Sequence, residues 1–485
     1  MDILSTVGFK TYRRRRAQLN GARAIGTIAF LACAVVWPAP AHALTPQQQR
    51  AFDIYKELVE INTVTETGDT GRAADAMAAR LIAAGFDSAD VQVFKPAPRK
   101  GNLVARLRGT GARKPILLLA HLDVVEARSE DWSVDPFRLT EKDGYFYGRG
   151  SGDDKYMAAS FVANLIRYKQ EGYRPERDII LALETDEEIL DANAMGIGSL
   201  LKNHRDLIDA EFALNEGGGV GLKRGKPIRN SIQTSEKVTY SYRLAVTNKG
   251  GHSSVPSTDN AIYHLAEGLA RLGKFAFPVN LNATTRQSFE RTAALETPET
   301  AADIRSVLSA KEDPAALARL SANPAYNAQL RTTCVATMLE GGHAYNALPQ
   351  MARAVVNCRI MPGEKAEDVT ATLKRVLADD QISLTPIGEP VLSEPSAIEE
   401  GLLSAIEKTS AEFWPGVPVV PVMSAGATDG SFLRNAGIPT YGHSGLASDV
   451  DDVRAHGQDE RVAVKSFYEG GEYLYRLVKR LSGGK

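Results

Sequence analysis

The sequence predicts an α/β protein, a mostly parallel sheet flanked by helices and interrupted by an inserted α+β domain. Three observations predict it. Between about 46 and 235, apolar strand-like runs alternate with stretches of helical spacing, the pattern of parallel strands covered on both faces. Near 236 the periodicity switches to two, as in a half-exposed antiparallel sheet. From about 390 the α/β alternation returns and runs to the C-terminus. The expected organisation is a main domain in two parts, 44–235 and 390–485, with an insert over 236–389 and a leader over 1–43.

The leader comes first. Arg13 to Arg16, with Arg23, precede the apolar run AIGTIAFLACAVVW (24–37), and the triplet Ala41-His42-Ala43 follows. That layout predicts an export signal cut after Ala43 and a periplasmic or secreted protein, with the export route left open by the arginine cluster. At 14 residues the run is short for a membrane anchor. No other stretch approaches 18 apolar residues, so a soluble mature protein without membrane contact is expected. Lys and Arg number 57 against 59 Asp and Glu, which gives no reason to expect nucleic-acid binding.

Thr45 and Pro46 open the first helical stretch as cap and first-turn residues. A second helix is expected over 71–86, strands over 102–109 and 115–125, a helix over 160–173, and strands over 178–188 and 210–219. In the insert, 237–248 alternates as a strand, 260–273 is a helix, 333–342 and 352–362 are strands, and 364–380 is a helix. Residues 275–335 are polar, alanine-rich and helical in pattern, without motifs. Cys334 and Cys358 lie in strand-like runs that could be neighbours; a disulfide and two free buried thiols both remain open.

Chemistry concentrates at strand ends. Glu187 and Glu188 close the run DIILALETDEE (178–188), and two adjacent carboxylates cannot both ionise cheaply without a positive neighbour. They read as one metal ligand and one general base; an acidic helix start is the plainer alternative. His121 and Asp123 in AHLDVV lie two apart on an extended segment, which places Asp123 behind the imidazole to fix its tautomer. Asp153 and Asp154 stand in the glycine-rich YGRGSGDDK, Glu216 in LNEGGG and His456 in AHGQDERV. His121, Glu188 and Glu216 all fall at C-terminal ends of their runs, where open α/β sheets bind ligands.

These pieces resemble a known family. HLD (121–123), GRGSGDDK (148–155), TDEE (185–188), NEGG (215–218), NKGGHSSVP (248–256), GGHAYNALP (341–349) and HGQDE (456–460) stand in the order found in the dinuclear zinc metallohydrolases. That family includes aminoacylase, acetylornithine deacetylase, succinyl-diaminopimelate desuccinylase and bacterial glutamate carboxypeptidase. The resemblance implies a zinc-exopeptidase-like fold with a lid or dimerisation insert and two Zn2+, with Co2+ or Mn2+ as alternatives. It places His121 and Glu216 on one metal, Glu188 and His456 on the other, and Asp153 between them. Glu187 would be the general base, and Asp123 would serve the catalytic site from behind His121. His252 would stabilise the oxyanion. Asn346 and Arg359 would grip a substrate carboxylate, and Gly426 and Thr428 in SAGATDGSF (424–432) would offer backbone and hydroxyl donors. His343 and His443 fall off the ligand positions.

Two departures stand out. Asn215 occupies a position that is usually acidic, and the insert is longer than the family's compact lid, the excess lying in 275–335. Whether a homodimer forms through the lid, or one chain supplies its own His252, is left open. The implied activity is hydrolysis of an amide next to a free carboxylate, in an N-acyl amino acid or a short peptide. The alternatives are a hydrolase of an unusual amide or ester, and a non-catalytic binding protein that kept the fold. No ligand position has been lost, against the last of these.

Overall fold

The computed structural model describes residues 43–189, 195–309 and 313–484. The leader before Ala43 lies outside the described residues. No described helix is long and apolar enough to cross a membrane.

The main sheet is mixed and mainly parallel, as the alternation predicts. At its centre Ile116–His121 runs parallel to both Ile179–Glu184 and Phe212–Asn215, and Thr440–Gly442 runs parallel to Phe212–Asn215. Antiparallel strands flank this centre, Val91–Ala97 with Lys100–Leu107 on one side and Val220–Lys223 with Lys226–Glu236 on the other. All six residues of Ile116–His121 and of Ile179–Glu184 are buried. Alternate residues feed opposite faces. Leu118 joins the core under Pro46–Glu60, Lys155–Gln170 and Val464–Ser482, while Leu117 and Leu119 join the core built with Leu200, Leu433 and Ile438. A continuous apolar run is what a strand covered on both faces requires.

The first helix starts where the sequence says it should. The Thr45 hydroxyl accepts from the Gln48 backbone N–H, and the Gln48 side chain accepts from the Thr45 N–H, a closed capping box.

The insert carries a four-stranded antiparallel sheet in the order Thr333–Gly341, Met351–Ile360, Val238–Thr247, Ser383–Ile387. Tyr240, Tyr242, Leu244 and Val246 point inward at every second position onto helices Ala261–Leu272 and Ala366–Leu377, forming a core separate from those of the main sheet. Cys334 and Cys358 face each other across two strands and are disulfide-bonded.

The excess helices do not extend this lid. Ala283–Thr292, Pro298–Leu308, Pro314–Ser321 and Pro324–Leu330 enclose a small core of Phe289, Ile304, Val307, Leu320 and Leu330. They dock on the strand Val419–Ser424 of the main sheet. Arg291 donates to the Val419 carbonyl at 2.6 Å, Gln329 to the Met423 carbonyl at 2.9 Å, and the Thr234 and Thr284 hydroxyls bond at 2.7 Å. The lid sheet's apolar face is already covered by two helices, so these helices bury their few apolar residues elsewhere.

Candidate metal centre

Three parallel strands end side by side, with His121 in register with Glu184. The chain then turns sharply at Asp186, whose φ is +68°, and this turn aims Glu187 and Glu188 over the sheet edge. Asp186 pairs with Lys100 and bonds Thr185, which fixes the turn from below. Phe212–Asn215 delivers Glu216 to the same edge.

Asp153 sits at the middle. Its Oδ1 lies 3.1 Å from His121 Nε2, and its Oδ2 lies 3.2 Å from His456 Nε2. Glu188 is 2.9 Å from His456 Nε2, and Glu216 is 3.9 Å from His121 Nε2. The donor atoms of His121, Asp153 and Glu188 fall within 4.8 Å of one another, as do those of His121, Glu187 and Glu216. The structure therefore brings together all five residues expected as ligands. It also places Glu187 as close to the centre as a ligand, so distance alone does not distinguish base from ligand.

Asp123 acts differently from the sequence expectation. The His121 ring meets the Asp123 backbone carbonyl, 3.0 Å from Nδ1, whereas the carboxylate lies 3.8 Å away. A carbonyl only accepts, so Nδ1 carries a hydrogen and Nε2 is the nitrogen that faces the centre, where a metal would take the place of its proton. The fully buried carboxylate instead accepts the backbone N–H groups of Glu187 at 3.2 Å and Glu188 at 3.1 Å. One residue thus sets the histidine tautomer with its backbone and holds the glutamate pair with its side chain.

The centre is overloaded with negative charge. Burial pushes the Glu187 and Glu216 carboxyls well above their usual range, joined at Glu187 by the charges of Asp429, Glu188 and Asp153 and at Glu216 by those of Glu187, Asp153 and Glu188, despite the opposing pull of His121. Burial likewise raises Asp154, and one oxygen of its carboxyl has no hydrogen-bond partner. Burial opposes ionisation of Asp153 too, yet its bonds to His121 and His456 outweigh it and hold the carboxyl low. His456 is raised to about 10 by its bonds to Asp153 and Glu188. Five carboxyls beside two imidazoles, several buried, are the donor set of a divalent cation pair rather than of a self-sufficient ion-pair network. The residues present fit two metals.

Glu460, which the sequence reading did not single out, holds the glycine-rich loop. It accepts from the N–H groups of Gly150 (2.9 Å), Gly152 (2.7 Å) and Asp153 (3.1 Å), and pairs with Arg149 at 2.7 Å. Its place in HGQDE was the available signal.

The residues expected to meet substrate lie apart from this cluster. His252 and Asn346 are exposed neighbours on the small sheet pairing Gly251–His252 with Ala347–Leu348. The Ser254 N–H donates to His252 Nδ1 at 3.2 Å, so in the neutral ring Nε2 carries the hydrogen and is a free donor. Arg359 bonds Thr239 and has no carboxylate partner among the described residues. The Thr428 hydroxyl is committed: it donates to Glu236 at 2.6 Å, and Glu236 is locked to Arg434 at 2.8 Å. The Gly426 N–H is likewise used, by the Ser424 hydroxyl at 3.0 Å. Among the described residues, none of these side chains bonds to the centre.

His443 is structural. Fully buried, it bonds the Ser231 carbonyl at 2.9 Å and the Tyr473 hydroxyl at 2.6 Å, and burial pushes it down to about 4. The unfolded chain protonates this ring near pH 6.5, so between there and about 4 the unfolded state binds more protons. Stability should fall as pH drops through that window, by roughly 3 kcal/mol in full. Thermal melts from pH 4 to 7 should show a shallower acid slope for His443→Gln than for the unmodified protein; equal slopes would refute it.

Fold and centre together define a metal-dependent hydrolase. The chain belongs to peptidase family M20/M25/M40, whose sequence profile matches residues 117–480. It is 30% identical over 378 residues to the human N-fatty-acyl-amino acid synthase/hydrolase PM20D1, covering 76% of this chain and 74% of that one. It is 26% identical to aminoacylase-1 of Sus scrofa, over 88% of this chain and 94% of that one. In fold it is similar to the M20 family metallo-carboxypeptidase Sso-CP2 of Sulfolobus solfataricus, with TM-score 0.65, 18% identity, and coverage of 88% and 98%.

Proposed function

We propose that the chain hydrolyses an amide bond next to a free carboxylate, in an N-acyl amino acid or a short peptide, with Glu187 as general base. The observation that carries this reading is the half-buried Glu187, its backbone N–H held by the Asp123 carboxylate so that its side chain stands at the edge of a centre fit for two metals. The names of the human and porcine relatives, a fatty-acyl amino acid hydrolase and an aminoacylase, support it.

Zinc is the proposed metal, and when bound the pair would supply Lewis acidity to the scissile carbonyl and acidify a water. His121, Glu216, Asp153, Glu188 and His456 would hold it. Glu187 takes the water's proton as the oxygen bonds the carbonyl carbon, then delivers that proton to the nitrogen as the C–N bond breaks. A carboxylic acid and a free amine result. His252 donates Nε2–H to the oxyanion once the lid meets the substrate. Arg359 and Asn346 receive the substrate carboxylate, the guanidinium fork matching it better than a point charge would. Gly426 and Thr428 contribute loop shape, since their donors are already engaged. The disulfide supports export to an oxidising compartment.

N-acyl amino acids and dipeptides should be hydrolysed by the metal-loaded protein and not after chelation; chelator-insensitive turnover would overturn the reading. In the same assay Arg359→Ala should raise KM by at least tenfold for acids and leave the corresponding amides little affected. An equal rise for both would remove Arg359 from carboxylate binding.

A further inference from the structure

The two groups that the proposed chemistry asks of the small lid ribbon, the His252 ring and the Asn346 side chain, sit next to each other. Gly251–His252 pairs with Ala347–Leu348, and the Ser253 N–H donates to the Asn346 carbonyl at 3.0 Å. No packed core holds the side that carries His252. Residues 251–259 are all exposed, Val255 at 73%, and Asn260 is the first buried residue after them. A segment that buries no side chain takes no position from packing, so hydrogen bonds set where His252 stands.

Those bonds converge on the neck of the loop, and Asn248 makes four of them. Its N–H donates to the Gln350 carbonyl at 2.9 Å, and its Oδ1 accepts from the Gly250 N–H at 3.1 Å. Its Nδ2 donates to the Asp259 carboxylate at 2.8 Å and to the Asp259 carbonyl at 3.3 Å, which closes the loop 248–259. Gly250 keeps the neck narrow: its φ is +73°, and a Cβ there would meet Gln350 Cγ at 2.8 Å. Asp259 is braced in turn. His264 Nε2 lies 3.4 Å from the carboxylate oxygen that Asn248 holds, while His264 Nδ1 bonds Asp379 at 2.6 Å. His264 belongs to the helix Ala261–Leu272, which is seated in the lid core through Leu265 and Leu272. The clamp therefore ties a loop without a core of its own to an element that has one.

We propose that Asn248 and Asp259 are positioning residues for the hydrolysis, their contact holding His252 where its Nε2–H meets the developing oxyanion. The inference rests on the oxyanion role proposed for His252 and adds the residues through which that role is set. A donor of this kind is effective only if it is in place before the charge develops. With the neck open, the exposed loop spreads over many conformations, and only a fraction of them present the ring. Asn346 is affected less, because its strand is followed directly by Met351–Ile360 in the middle of the lid sheet. Opening the neck therefore acts on the transition state more than on the binding of substrate.

The test is a double-mutant cycle in the zinc-loaded protein, on one N-acyl amino acid or dipeptide that it turns over. Asp259→Ala and Asn248→Ala should each lower kcat by about tenfold or more and change KM by less than about threefold, because the oxyanion exists only in the transition state. Asp259→Asn keeps an oxygen for the Asn248 amide and should retain kcat within about threefold. In a His252→Ala background, Asp259→Ala should cost less than about twofold, since the group it positions is gone. An equal loss in both backgrounds would overturn the clamp, as would a rise in KM at unchanged kcat. If His252→Ala alone left kcat near normal, the oxyanion role and the clamp would fall together while amide hydrolysis stood. Absence of turnover on every N-acyl amino acid and dipeptide would overturn all three.

Discussion

Glu187→Gln should keep both metals bound and lose turnover by roughly 10^2- to 10^4-fold, the range that general-base catalysis contributes. The substitution preserves size and leaves the backbone N–H that Asp123 holds, so the geometry of the centre is retained. Only the capacity to take a proton from water is removed. Metal analysis beside kcat separates the two roles that distance leaves together, because the Glu187 carboxyl is close to both His121 and Glu216. Two metals with collapsed kcat identify the base. Loss of one metal would make Glu187 a ligand, and near-normal turnover would remove it from the chemistry.

Stripping the metals should abolish activity and destabilise the fold, the more so as pH rises. In the metal-free protein Glu187 and Glu216 are raised by burial and by the neighbouring carboxylates, and His456 is raised to about 10 by Asp153 and Glu188. Each group raised on folding holds its proton more tightly in the native state than in the unfolded chain. The stability it contributes is present below the unfolded value and is lost as pH climbs through the folded one. The contribution of these three groups to the stability of the apo-protein should therefore shrink from about pH 4.5 upward, a slope that metal loading removes. Metals that bind only the native state should restore about 4 kcal/mol per site at a thousandfold excess over Kd. Rebinding at pH 7 must displace the protons of His456 and of the raised carboxyls, so calorimetry in buffers of different ionisation enthalpy should detect proton release. Rebinding without proton release, or an apo-protein as stable as the loaded one, would contradict this account.

Much of this was legible before any coordinates. Ile116–His121 and Ile179–Glu184 read as strands because both their faces are buried, and periodicity needs no tertiary knowledge to show that. His121, Asp153, Glu188, Glu216 and His456 could be gathered because each closes a strand or sits in a glycine-rich turn. What could not be read was anything decided by the meeting of distant segments. The Asp123 carboxylate turned from the imidazole to the glutamate backbone because the strand carrying Asp186 ends within its reach. Glu460 looked like a bystander because its four partners lie more than 300 residues away in sequence. The helices over 283–330 looked like a larger lid because sequence order, not packing, assigned them.

Those helices change how the lid hangs. A simple insert is joined to its host by two strands of chain, and two points define an axis about which it can swing. Here the chain enters the lid after Glu236, leaves it for the main sheet near 280, comes back near 331 and departs for good near 388. The crossings are stitched together: Lys237 donates to the Arg331 carbonyl at 2.7 Å, and the Asn280 N–H to the Leu330 carbonyl at 2.8 Å. A lid sewn on at four places behaves less like a door than like a drawer front. To swing as a rigid piece with those helices, it would have to shear Gln329 from Met423 and Thr284 from Thr234, so any approach of His252 to the glutamate pair works against these bonds.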